Sequence, residues 1–427
     1  MTLCKHLILL LFILSLTACG GGSKSTTPPV ETPPVETPPP SEPPPETPPS
    51  SVELPSYNTS PQAPDITGME STAAELAGRM TIGLNIGNTL EAMGGKTETY
   101  WGNPEITREF VAFAKESGFN AIRLPVSWDQ YADQETAEIE QAWLDRVKEV
   151  VQYCIDEDLY VIVNIHWDGG WLENNVTPAK QEENNAKQKA YWEQIATLLR
   201  DFDERLLFAG TNEPNVADAE EMDVLMSSHQ TFIDAVRSTG GKNAYRSLIV
   251  QGPYTDIEQT HELMTTLPTD SVSERMMVEL HFYSPWNFTL MEQDESWGNR
   301  FFYWGNGNHS DTDTAHNPTW GEEEYVDDMF DLMKVQFADQ GIPIILGEYG
   351  AMVRDHLTGD DLQLHLESRA YYFYYVTQQA IATGMVPFYW DTGSLLDRSE
   401  YTVLDQLALD GLIDGANVHP PYWQDAE

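Results

Sequence analysis

A single (β/α)8, or TIM, barrel of the α/β class is predicted by three features of this sequence. Eight short runs rich in Val, Ile and Leu recur between residues 81 and 390. Each is apolar at consecutive rather than alternate positions, as parallel strands buried on both faces are. Amphipathic stretches of helical period stand between them, and eight strand-then-helix units in order favour a closed barrel over an open, doubly wound sheet.

The strands are expected at 81–86, 121–125, 160–165, 206–211, 247–251, 276–281, 343–347 and 385–390. Helices are expected at about 104–117, 139–157, 185–202, 219–239, 258–266, 322–340 and 362–383, with another near 402–412. In 139–157, Leu144, Val147, Val150, Val151 and Cys154 repeat at helical spacing and make one apolar face. Cys154, the one cysteine beyond residue 19, is expected there as an inert buried thiol. Without a second cysteine this region forms neither an intrachain disulfide nor a cysteine-based zinc site.

The barrel domain is assigned to 57–427, and what precedes it differs in composition. Residues 1–19 read as a lipoprotein signal peptide. Lys5 precedes an apolar core, Leu7 to Leu14, too short to span a bilayer. Leu16-Thr17-Ala18-Cys19 then looks like a bacterial lipobox. Cleavage before Cys19 would leave a thiol for lipidation, anchoring the protein to a membrane without a transmembrane helix. The expected location is the bacterial cell surface or outer membrane, with the large domain extracellular. Residues 20–56 form a Pro/Thr/Glu-rich linker holding 13 of the 27 prolines, so no core can form there and extended polyproline II is favoured. At about 3.1 Å per residue it could reach roughly 100 Å from the anchor, toward a bulky polymer.

The formal charge of −45 lies almost wholly beyond residue 56, because the first 56 residues carry only five Glu and two Lys. Such a surface repels nucleic acid and anionic membranes and suits an uncharged substrate. No nucleotide or metal motif is evident, so neither cofactor nor metal is expected; a monomer is expected as well.

In a barrel, function sits at the carboxyl ends of the strands. In order, those ends carry Asn88, Arg123, His166 with Trp167, Asn212 with Glu213, His281 with Tyr283, Glu348, and Trp390. Two segments matter most. Residues 207–213 and 344–348 are apolar runs that each end abruptly in a glutamate. A carboxylate just past a buried strand is badly placed for solubility and well placed for chemistry. Two of them in an aromatic-rich chain suggest cleavage of a sugar–sugar bond, one carboxyl donating a proton and the other serving as nucleophile or base.

Gly118-Phe119-Asn120-Ala121-Ile122-Arg123-Leu124-Pro125, Thr211-Asn212-Glu213-Pro214, His281-Phe282-Tyr283 and Gly347-Glu348-Tyr349-Gly350 together closely resemble glycoside hydrolase family 5. Asn85-Ile86-Gly87-Asn88-Thr89-Leu90-Glu91-Ala92, with Trp101-Gly102-Asn103-Pro104, is similar to its endoglucanase and xyloglucanase branches. The resemblance spans about residues 75–395. It implies a retaining, endo-acting enzyme that cleaves β-1,4-glucosidic bonds of cellulose or related β-glucans through a covalent glycosyl-enzyme. Xyloglucan, mixed-linkage glucan and mannan are the alternative substrates. A non-catalytic, glycan-binding surface lipoprotein is the alternative from another class, against which the intact Glu213 and Glu348 argue.

Carried over by position, the resemblance makes Glu213 the acid/base, with a pKa raised by its surroundings, and Glu348 the nucleophile, its charged form favoured by Arg123. Tyr283 would orient Glu348, and Asn212 would grip the sugar 2-hydroxyl. His166 and His281 would hydrogen-bond beside the scissile sugar, with Trp390 as a stacking floor. Asn88 joins the same rim, and Trp128 either lines the mouth of the barrel or seals it.

One departure stands out. Many endoglucanases of the family have a second histidine after that of strand 3, where this chain has Trp167 and then Asp168-Gly169-Gly170-Trp171. Trp167 and Trp171 are expected to offer stacking faces to glucose rings, so this loop is where subsite chemistry should differ. The long segment 284–321 carries eight aromatic residues, of which at least half should be absorbed by packing and the rest should wall the cleft. His309, Asp311, Asp313 and His316 within it match no standard ligand spacing. No separate carbohydrate-binding module is expected, which favours soluble chains over crystalline cellulose.

Overall fold

The computed structural model describes residues 53–424, so the expectations for the signal peptide, Cys19 and the linker as far as residue 52 lie outside the described residues. Strands β1 (Gly83–Ile86), β2 (Ala121–Leu124), β3 (Tyr160–Asn164), β4 (Leu206–Ala209), β5 (Leu248–Gln251), β6 (Met276–Phe282), β7 (Ile344–Tyr349) and β8 (Met385–Asp391) close into one barrel. Every strand runs parallel to the next, and β8 returns to β1 with Asn85 opposite Trp390.

Helices α2 (Arg108–Glu116), α3 (Gln141–Asp156), α4 (Gln181–Leu199), α5 (Ala219–Ser238) and α6 (Ile257–Leu263) follow β1 to β5 in turn. Helices α8 (Glu323–Gln336), α9 (Gly359–Ala382) and α10 (Gln406–Ala416) follow β6 to β8. Two short helices were not anticipated: α1 (Ala73–Ala77) before the barrel and α7 (Trp286–Thr289) in the loop after β6. Helix α2 starts later than its apolar pattern suggests because Thr107 is extended and its side chain accepts the Phe110 N–H at 3.1 Å. Asp218 and Asp256 cap α5 and α6 in the same way. Cys154 is buried on the inner face of α3, and burial pushes its thiol pKa up, as an inert thiol requires.

One irregularity positions the site. Leu280 of β6 pairs with Leu346 of β7, but the next residue, His281, pairs with Glu348. Gly347 is therefore an extra residue in β7, and the register against β8 shifts at the same place. Such a bulge re-aims the side chains beside it. Strands β6 and β7 accordingly continue to Phe282 and Tyr349, beyond their apolar runs. Gly347 is required to be glycine: a methyl group on its Cα would overlap the carboxylate of Glu279.

Candidate active site

Arg123, on β2, has no exposed surface and ties five strand ends together. Its Nη1 donates to Asn85 Oδ1 and to Glu348 Oε1, both at 2.9 Å, and its Nη2 donates to Asn212 Oδ1 at 2.9 Å. Its Nε lies 2.7 Å from Glu279 Oε1. The flat guanidinium suits this work, since its five N–H groups point in fixed directions within one plane. Asn85 Nδ2 in turn donates to the Gly347 carbonyl at 2.8 Å, and Gln251 Nε2 to Glu279 Oε2 at 2.5 Å. Burial alone would raise the Glu279 pKa. The Arg123 charge, with hydrogen bonds from His281 and Gln251, outweighs it and holds this carboxyl below the usual range.

Above this layer stand Glu213, just past β4, and Glu348, in β7. His281 bridges them, with Nδ1 2.7 Å from Glu213 Oε1 and Nε2 3.8 Å from Glu348 Oε1. Tyr283 donates its hydroxyl to Glu348 Oε2 at 3.0 Å. One ligand atom from each of Glu213, His281 and Glu348 lies within 4.8 Å of the other two. Desolvation would lower the His281 pKa, but the Glu348 charge and its contacts with Glu213 and Glu279 push it up to about 10. For Glu348, desolvation dominates and raises the pKa, although His281 and Arg123 oppose it. As expected, the Arg123 guanidinium favours the Glu348 anion, but burial opposes it and is the larger effect. His166 goes the other way. Burial, then the charges of Arg123 and His281, hold its pKa well below that of a free imidazole.

The remaining predicted residues divide between rim and scaffold. His166 stacks on Trp390, with ring centres 5.6 Å apart and planes 9° from parallel, and Asn164 Nδ2 lies 3.3 Å from its Nδ1. Asn88 sits half-buried just past β1 in left-handed backbone (φ 58°), its carbonyl accepting from Asn103 Nδ2 at 3.1 Å. Trp167 is 42 % exposed and free to meet a ligand. Trp171 is placed otherwise. Its ring packs edge-on to Tyr191, its Nε1 donates to Asp168 Oδ2 at 3.3 Å, and Lys187 Nζ lies 5.2 Å over its face. Trp128 is fully buried and donates to the Asn164 carbonyl at 2.9 Å, which makes it a seal.

A sequence model described as cellulase (glycosyl hydrolase family 5) matches residues 85–395. The chain belongs to glycosyl hydrolase family 5. It is 39 % identical to a xyloglucan-specific endo-beta-1,4-glucanase of Bacteroides ovatus, over 83 % of this chain and 72 % of that one. It is 34 % identical to endoglucanase A of Paenibacillus barcinonensis, over 84 % and 93 %. Among solved structures it is similar to a Bacteroides ovatus family 5 xyloglucanase in complex with a XXXG heptasaccharide. That match has a TM-score of 0.79 and 37 % identity, and covers 86 % of this chain and 81 % of the other.

Within this family 5 barrel, four residues of the cluster were not anticipated as site residues: Asn85, Glu279, Gln251 and Glu173. Glu173, in the loop after β3, accepts the Glu213 N–H at 2.5 Å, and its own carbonyl accepts the Asn215 N–H at 3.0 Å. Burial, then the charge of Glu213, push its pKa up to about 8. A polar residue inside an apolar strand, as Glu279 and Asn85 are, is the one signal that could have found any of them. Among the described residues, Glu213, His281 and Glu348 form the one set of potential ligands close enough to hold a metal ion. The Arg123 cation already lies 2.9 Å from Glu348, and a second cation there would be repelled.

The aromatic loop 284–321 buries more than half of its rings, as expected, while of its exposed rings Trp286 lines the cleft beside Glu213 and Trp297 and Trp320 do not. Phe288, Phe301, Phe302, Tyr303 and Trp304 are buried, while Trp286, Trp297 and Trp320 are exposed. His309 pairs with Glu322 and His316 with Asp313, each at 2.7 Å, as separate pairs. Between this loop and the loop after β5, a cleft of about 260 Å³ opens outward from Glu213.

Proposed function

We propose that this glycosyl hydrolase is endo-acting and cleaves β-1,4-glucosidic bonds with retention, Glu348 serving as nucleophile and Glu213 as acid/base. The observation that carries the reading is the spacing of the two carboxyls, whose oxygens come within 4.8 Å of one another. Retaining glycosidases hold the pair about 5–5.5 Å apart, and inverting ones leave about 6.5–9.5 Å for a water. Arg123 and Tyr283 hold one oxygen each of Glu348, so the carboxylate is oriented before a sugar arrives. Attack at C1 forms a glycosyl ester on Glu348 as Glu213 protonates the departing oxygen. Glu213 then takes a proton from water, and hydrolysis of the ester restores Glu348.

The substrate class proposed is a β-1,4-glucan backbone. Xyloglucan is the favoured form, since the Bacteroides ovatus relative and the Bacteroides ovatus solved structure described above are both named for it, and unbranched cellulose chains are the second reading. Incubation with xyloglucan, carboxymethyl cellulose, lichenan and glucomannan, followed by assay of reducing ends, tests it. Release from the β-1,4-glucans is the expected result, with the anomer first formed read by proton NMR. An α-anomer at first release would refute retention, and no release from any of the four would bring the binding-protein alternative forward. Anchoring at Cys19 is a further proposal, resting on the Leu16-Thr17-Ala18-Cys19 sequence. Fractionation of cells should place the wild-type protein in membranes and the Cys19→Ala variant elsewhere.

A further inference from the structure

The two carboxyls of the site are held in different ways. Glu348 is fixed at its side chain, by Arg123 Nη1 at 2.9 Å and the Tyr283 hydroxyl at 3.0 Å, and is nearly sealed from water. Glu213 has 42 % of its side chain exposed. Among the described residues its carboxyl has one hydrogen-bond partner, His281 Nδ1 at 2.7 Å. The rest of its aim has to come from the backbone that carries it.

That backbone belongs to no helix or strand. Strand β4 ends at Ala209 and α5 begins at Ala219, so the N–H groups between them depend on neighbouring loops for partners. Gln251 Oε1 accepts the Thr211 N–H at 3.0 Å. Glu173 takes two more: its carboxyl accepts the Glu213 N–H at 2.5 Å, and its carbonyl accepts the Asn215 N–H at 3.0 Å. Asn215 Nδ2 donates to Asn174 Oδ1 at 2.7 Å. The Asn212 side chain, whose Oδ1 accepts from Arg123, also hydrogen-bonds the Glu173 carboxyl. Pro214 adds stiffness, because a proline disfavours helical backbone at the residue before it, here Glu213.

The turn that carries Glu173 is itself pinned. Asn175 Nδ2 donates to the carbonyls of Gly170 and Trp171 at 3.0 and 3.1 Å, and the Asn175 carbonyl accepts from Asn184 Nδ2 of α4 at 2.9 Å. Glu173 is 4 % exposed, and among the described residues it forms no ion pair. A buried carboxyl is costly unless its hydrogen bonds are made. Here they are made to the segment of Glu213, and burial, then the charge of Glu213, favour the uncharged form.

Resting on the reading of Glu213 as acid/base, we propose that Glu173 is the positioning residue of the proton donor: from the β3 loop it holds the Glu213 N–H and so aims the Glu213 carboxyl at the glycosidic oxygen. Its role is that of an acceptor rather than a charge, so an amide can replace it. The consequence is confined to proton donation. Cleavage that needs a proton on the departing oxygen suffers when the donor is displaced, whereas a group that leaves as a stable anion needs none.

The test compares phenyl β-cellotrioside, a poor leaving group, with 2,4-dinitrophenyl β-cellotrioside, a good one, through kcat/KM, which reports the first bond cleavage. Glu173→Leu, in the full chain, fills the space without an acceptor. It should lose about tenfold or more on the phenyl glycoside and less than about threefold on the dinitrophenyl one. Glu173→Gln should recover most of that loss. Should the leucine variant fail to fold by circular dichroism, Glu173→Asp, which draws the acceptor back by one carbon, should show the same contrast in smaller measure. Equal losses on both substrates overturn the proposal and mark Glu173 as support for the fold. A glutamine variant as impaired as the leucine or aspartate variant overturns it too. Glu213→Ala is the control, expected to show the contrast most strongly. No contrast in that variant would remove the reading of Glu213 as proton donor, whereas contrast there and none at Glu173 would remove the positioning role alone.

Discussion

Arg123 Nε lies 2.7 Å from Glu279 Oε1, and neither side chain has any exposed surface. A buried pair of this kind adds little stability over apolar packing of the same volume. Its consequence is geometric: with Nε facing Glu279, the two Nη groups point at Asn85, Asn212 and Glu348.

Glu279→Ala would leave Arg123 Nε without a partner, Glu348 remaining as the one carboxylate on the guanidinium, and should cost about 1–3 kcal/mol of stability, measured by urea unfolding. Glu279→Gln keeps the shape and should lose less stability, yet lower kcat as the Arg123 fork loosens. Equal stability of the alanine variant and the wild type would show that water or another group takes over the role of Glu279.

Gly347→Ala sets a methyl group against the Glu279 carboxylate inside the β7 bulge. Overpacking of this sort costs about 1–3 kcal/mol. The activity loss should be larger than the stability loss implies, because the displaced residue is next to Glu348. A variant that melts lower but turns over normally would show that the bulge is not what aims Glu348.

Truncation of either glutamate separates their roles. Loss of a general acid/base typically costs about 10²–10⁴-fold in rate. Added azide should rescue Glu348→Gly with formation of the inverted α-glycosyl azide, and Glu213→Ala with formation of the retained β-azide. Product stereochemistry by NMR decides, and the reverse pattern would exchange the two assignments.

Glu91 is buried beneath Asn88, where it accepts the Asn88 and Thr89 backbone N–H groups. Burial outweighs those hydrogen bonds and pushes its pKa from 4.5 up to about 7. The folded state therefore holds this proton more tightly than the unfolded chain does. The associated stability is fully present below pH 4.5 and is lost as pH rises through 7. A shift of that size amounts to about 3 kcal/mol. Glu91→Gln should flatten the fall of unfolding free energy between pH 5 and pH 8 by about that amount. Parallel profiles for the two proteins would rule out Glu91 as the titrating group.

The barrel, the order of its elements and most of its rim follow from local patterns in the chain. A strand buried on both faces must be apolar along its length, so the polar residue that ends it stands out; Glu213, Glu348 and His281 were legible for that reason, and Trp390 was marked by the family resemblance. Three things were not. Gly347 is an extra residue only relative to β6 and β8, and register between strands far apart in sequence leaves no local mark. Glu173 reaches Glu213 across a loop whose composition is unremarkable. Trp171 and Trp167 are the same residue type four positions apart, yet one packs on Tyr191 and Lys187 while the other stands in solvent. The sequence by itself determined which side chains reach the end of the barrel, since hydrophobic periodicity is a property of neighbours along the chain. The tertiary structure alone decided which of them touch, because Arg123, Glu279 and Glu348 meet only when β2, β6 and β7 close around the same axis.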